Sequence, residues 1–387
     1  MKGKAFKFVI LLGIVSLFSD MTYEGARSII GPFFVSLGAS GAVVGFVAGF
    51  GELVGQGLRV FFGYLSDLTK RYWAFTIGGY VVNLLAVPLL AFVGSWQIAA
   101  ILIMAERLGK AIRTPARDVM LFHASSQIGR GKAFGIHEAM DQIGALTGPL
   151  LVSLVLFLWG SFKVAFLWLF LPACGALFTL LISRFLYPSP EKMEEQRSIS
   201  MGEKFSKTFW IYLVAIAFVA AGYVDYPLIG YHAIKKGLIT SATVPLFYAL
   251  AMGVDALSAL ICGYLFDRWG LRLLIVMVAL SSLFAPLIFL GGTFSLLLGI
   301  VFWGVGMGLQ ESVLRAVVGG LVSPERRGTA YGVFNSIYGV SWFLGSLSIG
   351  FLYDISLEYV VFFSLTFELS SILVLGFLTK FKGFQIR

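Results

Sequence analysis

Twelve apolar stretches, each long enough to cross a bilayer, follow one another along this chain of 387 residues. A spanning helix needs about 20 consecutive, mostly apolar residues. The stretches cover 7–36, 41–66, 73–93, 96–122, 131–159, 162–186, 208–234, 241–266, 272–292, 295–321, 328–353 and 359–379. A content of 58% hydrophobic and 13% charged residues excludes a soluble domain of this size. We therefore predict an all-α membrane protein with twelve transmembrane helices.

The net charge of +9 is distributed unevenly between the two sides of these helices. If the amino terminus is cytoplasmic, most basic residues fall in the inner loops and tails: Lys2, Lys4, Lys7, Lys70, Arg71, Arg130, Lys132, Arg184, Lys192, Arg197, Lys204, Lys207, Arg268, Arg272, Arg326, Arg327, Lys380, Lys382 and Arg387. Only Lys163, Lys235 and Lys236 fall in outer loops. This is the positive-inside pattern, so the charge indicates topology and no nucleic-acid partner. We predict a multi-pass protein of the cell membrane with both termini cytoplasmic.

Residues typical of enzymes and metal sites are scattered. Cys174 and Cys262 lie in opposite halves of the chain, and His123, His137 and His232 are far apart in sequence. No paired zinc ligands, nucleophile motif or phosphate-binding loop occurs. We predict no enzyme, no cofactor and no metal, and keep a membrane receptor or an intramembrane enzyme as a remote alternative.

Two sequence motifs recur at nearly one spacing. GYLSD at 63–67 returns as GYLFD at 263–267, an offset of 200, and RGKAFG at 130–135 returns as RGTAYG at 327–332, an offset of 197. Gly148 and Gly345 are also separated by 197 residues. We therefore predict two six-helix bundles, 1–185 and 208–387. The polar segment 186–207, which contains two prolines, is predicted to be a cytoplasmic linker.

The second copy of the first motif, GYLFDRWGLR at 263–272, resembles the loop motif of the major facilitator superfamily. The resemblance implies the major facilitator fold, a small-molecule substrate site between the halves, alternating access and a monomer. Glycines in the motif let helices approach, and its aspartates can cap helices or pair with cytoplasmic arginines. A plain turn with a solvated charge remains the alternative. The candidate gating residues are Gly63, Asp67, Arg71, Gly263, Asp267, Arg268 and Arg272.

A further motif, GIHEAMDQIGALTGP at 135–149, resembles that of the drug/proton antiporter branch of the family. The matching residues are Gly135, Gly144, Gly148 and Pro149. Small residues four apart let two helices pack closely, and a proline bends its helix. The resemblance implies export, whereas general helix packing explains the glycines equally well.

Charged residues inside the stretches are costly and should face the bundle interior or a wet cavity. The third, sixth and ninth stretches carry none and the twelfth carries only Glu368, which favours these four as the lipid-facing scaffold. We predict that the coupling proton is carried by Asp20, Glu24, Glu52 or Asp141, with Asp225 or Asp255 as second candidates. Arg27 and Glu138 accompany them on the same helices.

The segment RLGKAIRTPARD at 107–118 places Arg107, Lys110, Arg113 and Arg117 on one helix face. Three interpretations stay open: pairing with acids on the first, second and fifth helices, a cytoplasmic latch, and direct binding of an anionic substrate. Arg107 and Lys110 are candidates for the transport path. The candidate gate consists of Arg113, Arg117, Asp118 and Arg315, which matches Arg117 at offset 198.

Aromatic and methionine side chains on the path helices either pack helices together or receive an organic substrate. The candidate cavity residues are Tyr23, Tyr223, Tyr226, Trp303 and Met307. We predict a secondary active transporter that exports small amphipathic organic compounds in exchange for protons. The alternative is a proton-coupled importer of a small organic anion that uses the face from Arg107 to Arg113.

Overall fold

The computed structural model describes residues 2–125, 129–188, 205–322 and 327–380. Within these ranges the chain is built from sixteen α-helices joined by short connections. They are α1 Lys2–Ser36, α2 Gly41–Thr69, α3 Tyr72–Leu89, α4 Trp96–Ser125, α5 Arg130–Trp159, α6 Phe162–Trp168, α7 Phe170–Leu186, α8 Lys207–Gly222, α9 Tyr226–Lys235, α10 Val244–Trp269, α11 Leu271–Ser281, α12 Phe284–Phe289, α13 Thr293–Gly308, α14 Leu314–Leu321, α15 Arg327–Ile355 and α16 Leu357–Leu378. A 3₁₀ turn, Leu90–Phe92, follows α3, and a π-helical segment, Leu309–Val313, joins α13 to α14.

Eleven helical spans in the described residues are long and apolar enough to cross a membrane. Four of them are pairs of helices in tandem, among them Phe162–Leu186 and Lys207–Lys235. Helix α4 has 30 residues and is as long as the others, but it falls outside the eleven because it carries the basic stripe and its acidic neighbours. The chain is a multi-pass, all-helical membrane protein.

Helix boundaries follow from local side-chain chemistry. Ser161, Ser206 and Ser356 precede α6, α8 and α16, and each hydroxyl accepts a hydrogen bond from a backbone N–H of the first turn. Those N–H groups have no partner within the helix, so the serines stabilise the helix starts. At the end of α5, Gly160 adopts a left-handed φ of 62°, which costs glycine little.

The spans predicted as single helices from the sequence are interrupted in four places. The seventh span breaks between α8 and α9, where Tyr223 to Asp225 leave the helix and Pro227 follows in the first turn of α9. The sixth, ninth and tenth spans are also divided. Proline at the second position of a helix is tolerated because its missing N–H has no partner there.

The described helices cluster into two compact units. The first unit consists of Met1–Gly38, Val54–Ser198 and Ser241–Ala249. The second consists of Ala39–Leu53, Ile199–Thr240 and Leu250–Arg387. The beginning of α2 therefore belongs to the second unit, and the beginning of α10 belongs to the first. Both segments lie at the start of a spanning helix.

Glycines bring helices together within each unit. In the first unit, a Cβ on Gly148 of α5 would overlap the carbonyl oxygen of Met21 on α1. In the second unit, a Cβ on Gly345 of α15 would overlap the carbonyl oxygen of Ala221 on α8. Because lipid tails are as apolar as side chains, close backbone packing of this kind is a main source of helix association in membranes.

A second glycine surface lies on the part of α2 that belongs to the second unit. Gly41, Gly45 and Gly49 recur every four residues and face α15. A Cβ on Gly49 would lie 2.7 Å from the Cβ of Ser346, and one on Gly350 would lie 3.0 Å from the Cα of Gly45. Neither glycine can be replaced without moving the two helices apart.

Candidate functional site

The first unit contains a buried network of acidic and basic side chains on α1, α4 and α5. On α1, Asp20, Glu24 and Arg27 are each less than 10% exposed. The Arg27 guanidinium lies 3.9 Å from the Glu24 carboxylate, and the Tyr248 hydroxyl of α10 donates a short hydrogen bond to the same carboxylate. Glu24 therefore has both a basic and a neutral partner.

The first residue of the α4 stripe, Arg107, is held by its neighbour Glu106, which in turn contacts α3. Arg107 Nε lies 3.3 Å from Glu106 Oε2. The Asn83 amide of α3 donates to Glu106 Oε1 at 2.7 Å and to the Glu106 carbonyl oxygen at 3.0 Å. The sequence did not single out Asn83, although a polar residue within a span that is otherwise uncharged was the available signal.

The next two basic groups of the stripe lie over aromatic rings. Lys110 Nζ lies 4.1 Å from the ring centre of Tyr23, and the Arg113 guanidinium lies 4.2 Å from that of Tyr80. Such cation–π contacts contribute about 1 to 2 kcal/mol when they are desolvated. Both cations also interact electrostatically with the Asp20 carboxylate. The contact of Tyr23 with Lys110 assigns this predicted cavity residue to the network.

The last part of the stripe contacts α1 and α5. Arg117 donates to Asp118 Oδ1 at 2.8 Å and to the Ser16 hydroxyl of α1 at 3.3 Å. It also interacts electrostatically with Asp141 of α5, whose carboxylate lies 3.4 Å from His137 Nδ1. The structure thus places Arg117 and Asp118 within the same network as Asp20.

The buried acids and bases of this network interact with one another electrostatically. Asp20 interacts with two cations of α4 and with a second acid, Asp141. A proton taken up by Asp20 removes its attraction to Lys110 and Arg113 and its repulsion of Asp141. The contacts between α1, α4 and α5 thus depend on the protonation of Asp20.

Glu52, a predicted proton carrier, and Glu138, a predicted path residue, have other surroundings. Glu52 is in the segment of α2 that belongs to the second unit, where it interacts electrostatically with Tyr338 of α15. Glu138 is exposed on α5. Glu52 occupies this place because α2 contributes its two ends to different units.

In the second unit, the break between α8 and α9 forms a polar centre around Asp225. The Asp225 carboxylate accepts hydrogen bonds from the Trp342 indole N–H at 2.7 Å and from the Ser346 hydroxyl at 2.8 Å. One freed backbone group is also satisfied, because the Val224 carbonyl oxygen accepts a hydrogen bond from the Trp303 indole at 2.8 Å. Unwound backbone at membrane depth is found where protein covers it and often marks ligand sites.

Three of the predicted cavity residues meet at this break. The rings of Tyr223 and Tyr226 each lie 5.7 Å from the Trp303 ring, and Trp342 lies 5.7 Å from Tyr223. The Tyr223 hydroxyl donates to the Trp303 carbonyl oxygen. These rings are at most 2% exposed, so in this conformation they pack against one another. Sequence reasoning did not find Trp342.

Met307 and Asp255 also lie in the second unit, on neighbouring helices. Both side chains are buried, Met307 on α13 and Asp255 on α10. A Cβ on Gly308 would lie against the carbonyl oxygen of Asp255, which fixes the close contact of α10 with α13. Asp255 interacts electrostatically with Tyr223 and is therefore part of the surroundings of the break.

The predicted gating residues are distributed over several environments. Asp67 accepts a hydrogen bond from the Tyr72 hydroxyl at 3.1 Å, and Arg268 donates to the Tyr264 hydroxyl at 2.7 Å. Arg71, Arg272 and Arg315 are exposed. The side chain of Asp267 lies outside the described residues. No arginine partner of Asp67 is found within the described part of the chain.

The motif glycines differ in their surroundings. Gly63 lies against Pro115 of α4, where an added Cβ would make ordinary contact at 3.4 Å. The close helix approach predicted at Gly263 and Gly135 is not seen, because an added Cβ there would meet no described atom within 4 Å. Gly144, like Gly148, lies directly against the α1 backbone. Pro149 lies within α5, which continues unbroken to Trp159.

One polar contact at the start of α2 was not predicted from the sequence. The Asp354 carboxylate of α15 accepts from the backbone N–H groups of Gly41 at 2.9 Å and Ala42 at 2.8 Å. Lys235 Nζ lies 4.0 Å from the same carboxylate. An acid at a helix start satisfies free N–H groups and complements the helix dipole.

Comparison with known proteins identifies relatives along nearly the whole chain. A sequence model of the Major Facilitator Superfamily matches residues 12–346 and 226–380. An uncharacterised protein of Mycobacterium tuberculosis is 41% identical over 378 residues, which cover 96% of this chain and 92% of that protein. An MFS-type transporter of Methanocaldococcus jannaschii is 27% identical over 96% of this chain and 95% of its own length.

More distant matches include proteins that are named for what they transport or resist. The multidrug resistance protein MdtH of Proteus mirabilis is 24% identical over 84% of this chain and 81% of its own length. Among solved structures, the nucleoside transporter NupG superposes with a TM-score of 0.76 at 15% identity and covers 97% of this chain and 100% of its own. At that identity the structural match speaks for the fold alone.

Proposed function

Because the chain belongs to the Major Facilitator Superfamily, we propose that it is a secondary active transporter that exports small amphipathic organic compounds in exchange for protons. It works by alternating access between two six-helix bundles, 1–185 and 208–387, with α4 counted as the twelfth spanning helix. We place it in the cell membrane as a monomer with both termini in the cytoplasm. The polar linker 186–207 connects the bundles on that side.

The observation that carries this proposal is the position of Asp20 between the cations and the second acid. Lys110, Arg113 and Asp141 all interact electrostatically with it. Protonation of Asp20 removes its repulsion of Asp141 and its attraction to Lys110 and Arg113 at the same time. One proton therefore changes three interactions among α1, α4 and α5.

Glu24, Arg27 and Arg107 extend this proton path along α1 and α4. Glu24 is in contact with Arg27 and Tyr248, and Arg107 is in contact with Glu106. In the proposed cycle a proton on Asp20 releases Lys110 and Arg113, and its departure restores their attraction to α1. Asp141 repels the ionised Asp20 carboxylate, so the proton on Asp20 also relieves this repulsion.

Export is supported by two separate observations. Gly144 and Gly148 of the exporter motif pack directly on α1, the helix that carries Asp20. The relatives named MdtH are multidrug resistance proteins. For the substrate we favour an amphipathic organic compound at the break between α8 and α9, where Asp225 lies among the rings of Tyr223, Tyr226 and Trp303.

A proton-coupled importer of a small organic anion is the second candidate. It is favoured by Arg113, a guanidinium that is only 1% exposed. Its Nε and Nη1 atoms have no hydrogen-bond partner among the residues described. An anionic group of a substrate would supply acceptors to both nitrogens.

The two candidates are separated by transport into proteoliposomes under an imposed pH gradient, with lipophilic cations and organic anions offered in parallel. For the wild type we expect proton-driven movement of cations, opposite to the proton flow. Asp20→Asn should abolish the response to the gradient while substrate exchange without a gradient continues. The matched control is Glu358→Gln on α16, an exposed acid whose amide variant should transport normally.

Proton-driven flux that persists in Asp20→Asn, Glu24→Gln and Asp141→Asn alike would refute the role of the α1 network. Transport of anions alone, in the direction of the proton flow, would overturn export and favour the second candidate. In that case Arg113→Gln should abolish transport.

A further inference from the structure

Helix α16 contains a carboxylate that the proposed proton path does not use. Glu368 lies near the middle of this 22-residue helix and is 0% exposed. Neither of its carboxylate oxygens has a hydrogen-bond partner within the described parts of the chain. Ser371, one turn further along the same face, is equally buried, and its hydroxyl likewise has no described partner. An ionised carboxylate in such surroundings would cost several kcal/mol.

Among the described side chains of the elements packed against α16, none brings a cation to Glu368. They are α8, α11, α12 and α15. Lys207 and Arg272 stand at the ends of α8 and α11, whereas Glu368 is at mid-helix. The described ionisable side chains of these elements are Lys207 and Tyr212 on α8, Arg272 on α11, and Tyr331, Tyr338, Tyr353 and Asp354 on α15, while α12 has none. From the break that follows α8, Tyr223 interacts electrostatically with Glu368.

The backbone of Glu368 lies directly beside the break. A Cβ added to Gly222, the last residue of α8, would lie 3.3 Å from the Glu368 backbone nitrogen and 2.9 Å from the Cβ of Phe367. Ser364 donates a hydrogen bond of 2.7 Å to the Gly222 carbonyl oxygen. The end of α8 therefore cannot move without disturbing the part of α16 that carries Glu368.

We propose that Glu368 is a second proton-binding site, which holds its proton as a neutral carboxylic acid at the contact between the end of α8 and α16. The step is a simple proton transfer, in which a carboxylate oxygen and a proton form the acid and separate again. Release requires water to reach the carboxyl group, and the close packing at Gly222 and Ser364 excludes water. Proton exchange at Glu368 is thereby tied to movement of the break at Tyr223 to Asp225.

This site is distinct from the Asp20 network, because Glu368 belongs to the second unit and Asp20 to the first. It also does not depend on which compound is transported. Its occupancy can therefore be measured on the purified protein in detergent without any substrate.

Infrared spectroscopy tests the proposal directly, because a protonated carboxyl group and a carboxylate absorb at separate frequencies. At neutral pH the wild type should show a carboxylic-acid band that shifts when the protein is labelled with ¹³C-glutamate, which requires no substitution. Glu368→Gln should lose this band and keep the wild-type melting temperature, because glutamine resembles the neutral acid. Glu358→Gln, a change on the exposed surface of the same helix, should leave the band unchanged.

Two results would overturn the proposal. The first is a wild-type spectrum at neutral pH in which no carboxylic-acid band responds to the glutamate label. The second is a glutamate carboxylate band that shifts when sodium ions are added and is lost in Glu368→Gln, since the site would then bind a monovalent cation. Whether Asp20→Asn loses or keeps proton-driven transport bears only on the proposed function. Neither outcome affects the infrared test of Glu368.

Discussion

Removing the Asp354 carboxylate should release the start of α2 from α15. The first N–H groups of a helix have no partner within it, and Asp354 supplies acceptors for those of Gly41 and Ala42. Loss of a capping side chain costs about 0.5 to 2 kcal/mol, and hydrogen bonds to a charged group contribute about 1.5 to 3 kcal/mol each. Because the Asp354 side chain is 30% exposed, water replaces part of this, and Asp354→Ala should cost about 2 kcal/mol.

The Lys235 ion pair should contribute little by comparison. Its nitrogen lies 4.0 Å from the carboxylate, and its side chain is 48% exposed. Exposed pairs of this kind contribute about 0 to 1 kcal/mol. Lys235→Met is therefore the matched control, and we expect its effect to fall at the low end of that range.

Hydrogen–deuterium exchange of the peptide that contains residues 41–44 measures how often the start of α2 separates from Asp354. A loss of about 2 kcal/mol corresponds to roughly 30-fold faster exchange in Asp354→Ala, because about 1.4 kcal/mol is a factor of ten. Asp354→Asn keeps one acceptor and loses the charge, so about fivefold is expected. Peptides from α16 should exchange as in the wild type. Unchanged exchange in Asp354→Ala, or an equal effect of Lys235→Met, would refute the capping interpretation.

Two further experiments test the packing, one in each unit. Gly148→Leu places a side chain against the Met21 carbonyl oxygen and should destabilise the protein by about 1 to 3 kcal/mol. Gly135→Leu places its side chain in open space and should leave the melting temperature unchanged. Equal melting temperatures for the two variants would disprove the close packing. Trp342→Phe removes the indole donor of Asp225 and should cost about 1.5 to 3 kcal/mol in chemical unfolding, which a wild-type unfolding midpoint would contradict.

Several features of the fold follow from sequence patterns that have a physical cause. The chain offset that relates Gly148 to Gly345 also relates their surroundings, since each glycine lies against the backbone of the first helix of its half. Pairing of the α4 stripe with acids on α1 was one of three interpretations that the sequence left open, and Lys110 does interact electrostatically with Asp20. Such patterns are visible because they repeat or share one helix face.

Other features depend on contacts between distant residues, which a single sequence does not display. The break at Tyr223 to Asp225 lies inside an apolar stretch, and only Gly222 and Pro227 hint at it. Glu368 is the one charged residue of the apolar stretch 359–379, which is predicted to face lipid, yet its side chain is fully buried, because it lies on the face of α16 that packs against other helices. For both the break and Glu368, the surroundings depend on which helix packs against that position, and a single sequence does not show this.

The break between α8 and α9 also has a consequence for biosynthesis. Its polar groups find their partners far along the chain: Val224 with Trp303, 79 residues away, Asp225 with Trp342, 117 residues away, and Gly222 with Ser364, 142 residues away. A ribosome adds about 5 to 20 residues per second, so the last partner arrives roughly 7 to 30 s after Gly222 has been made. Until then the Gly222 carbonyl oxygen lacks its Ser364 donor, so the last of these hydrogen bonds can form only after α16 has been synthesised.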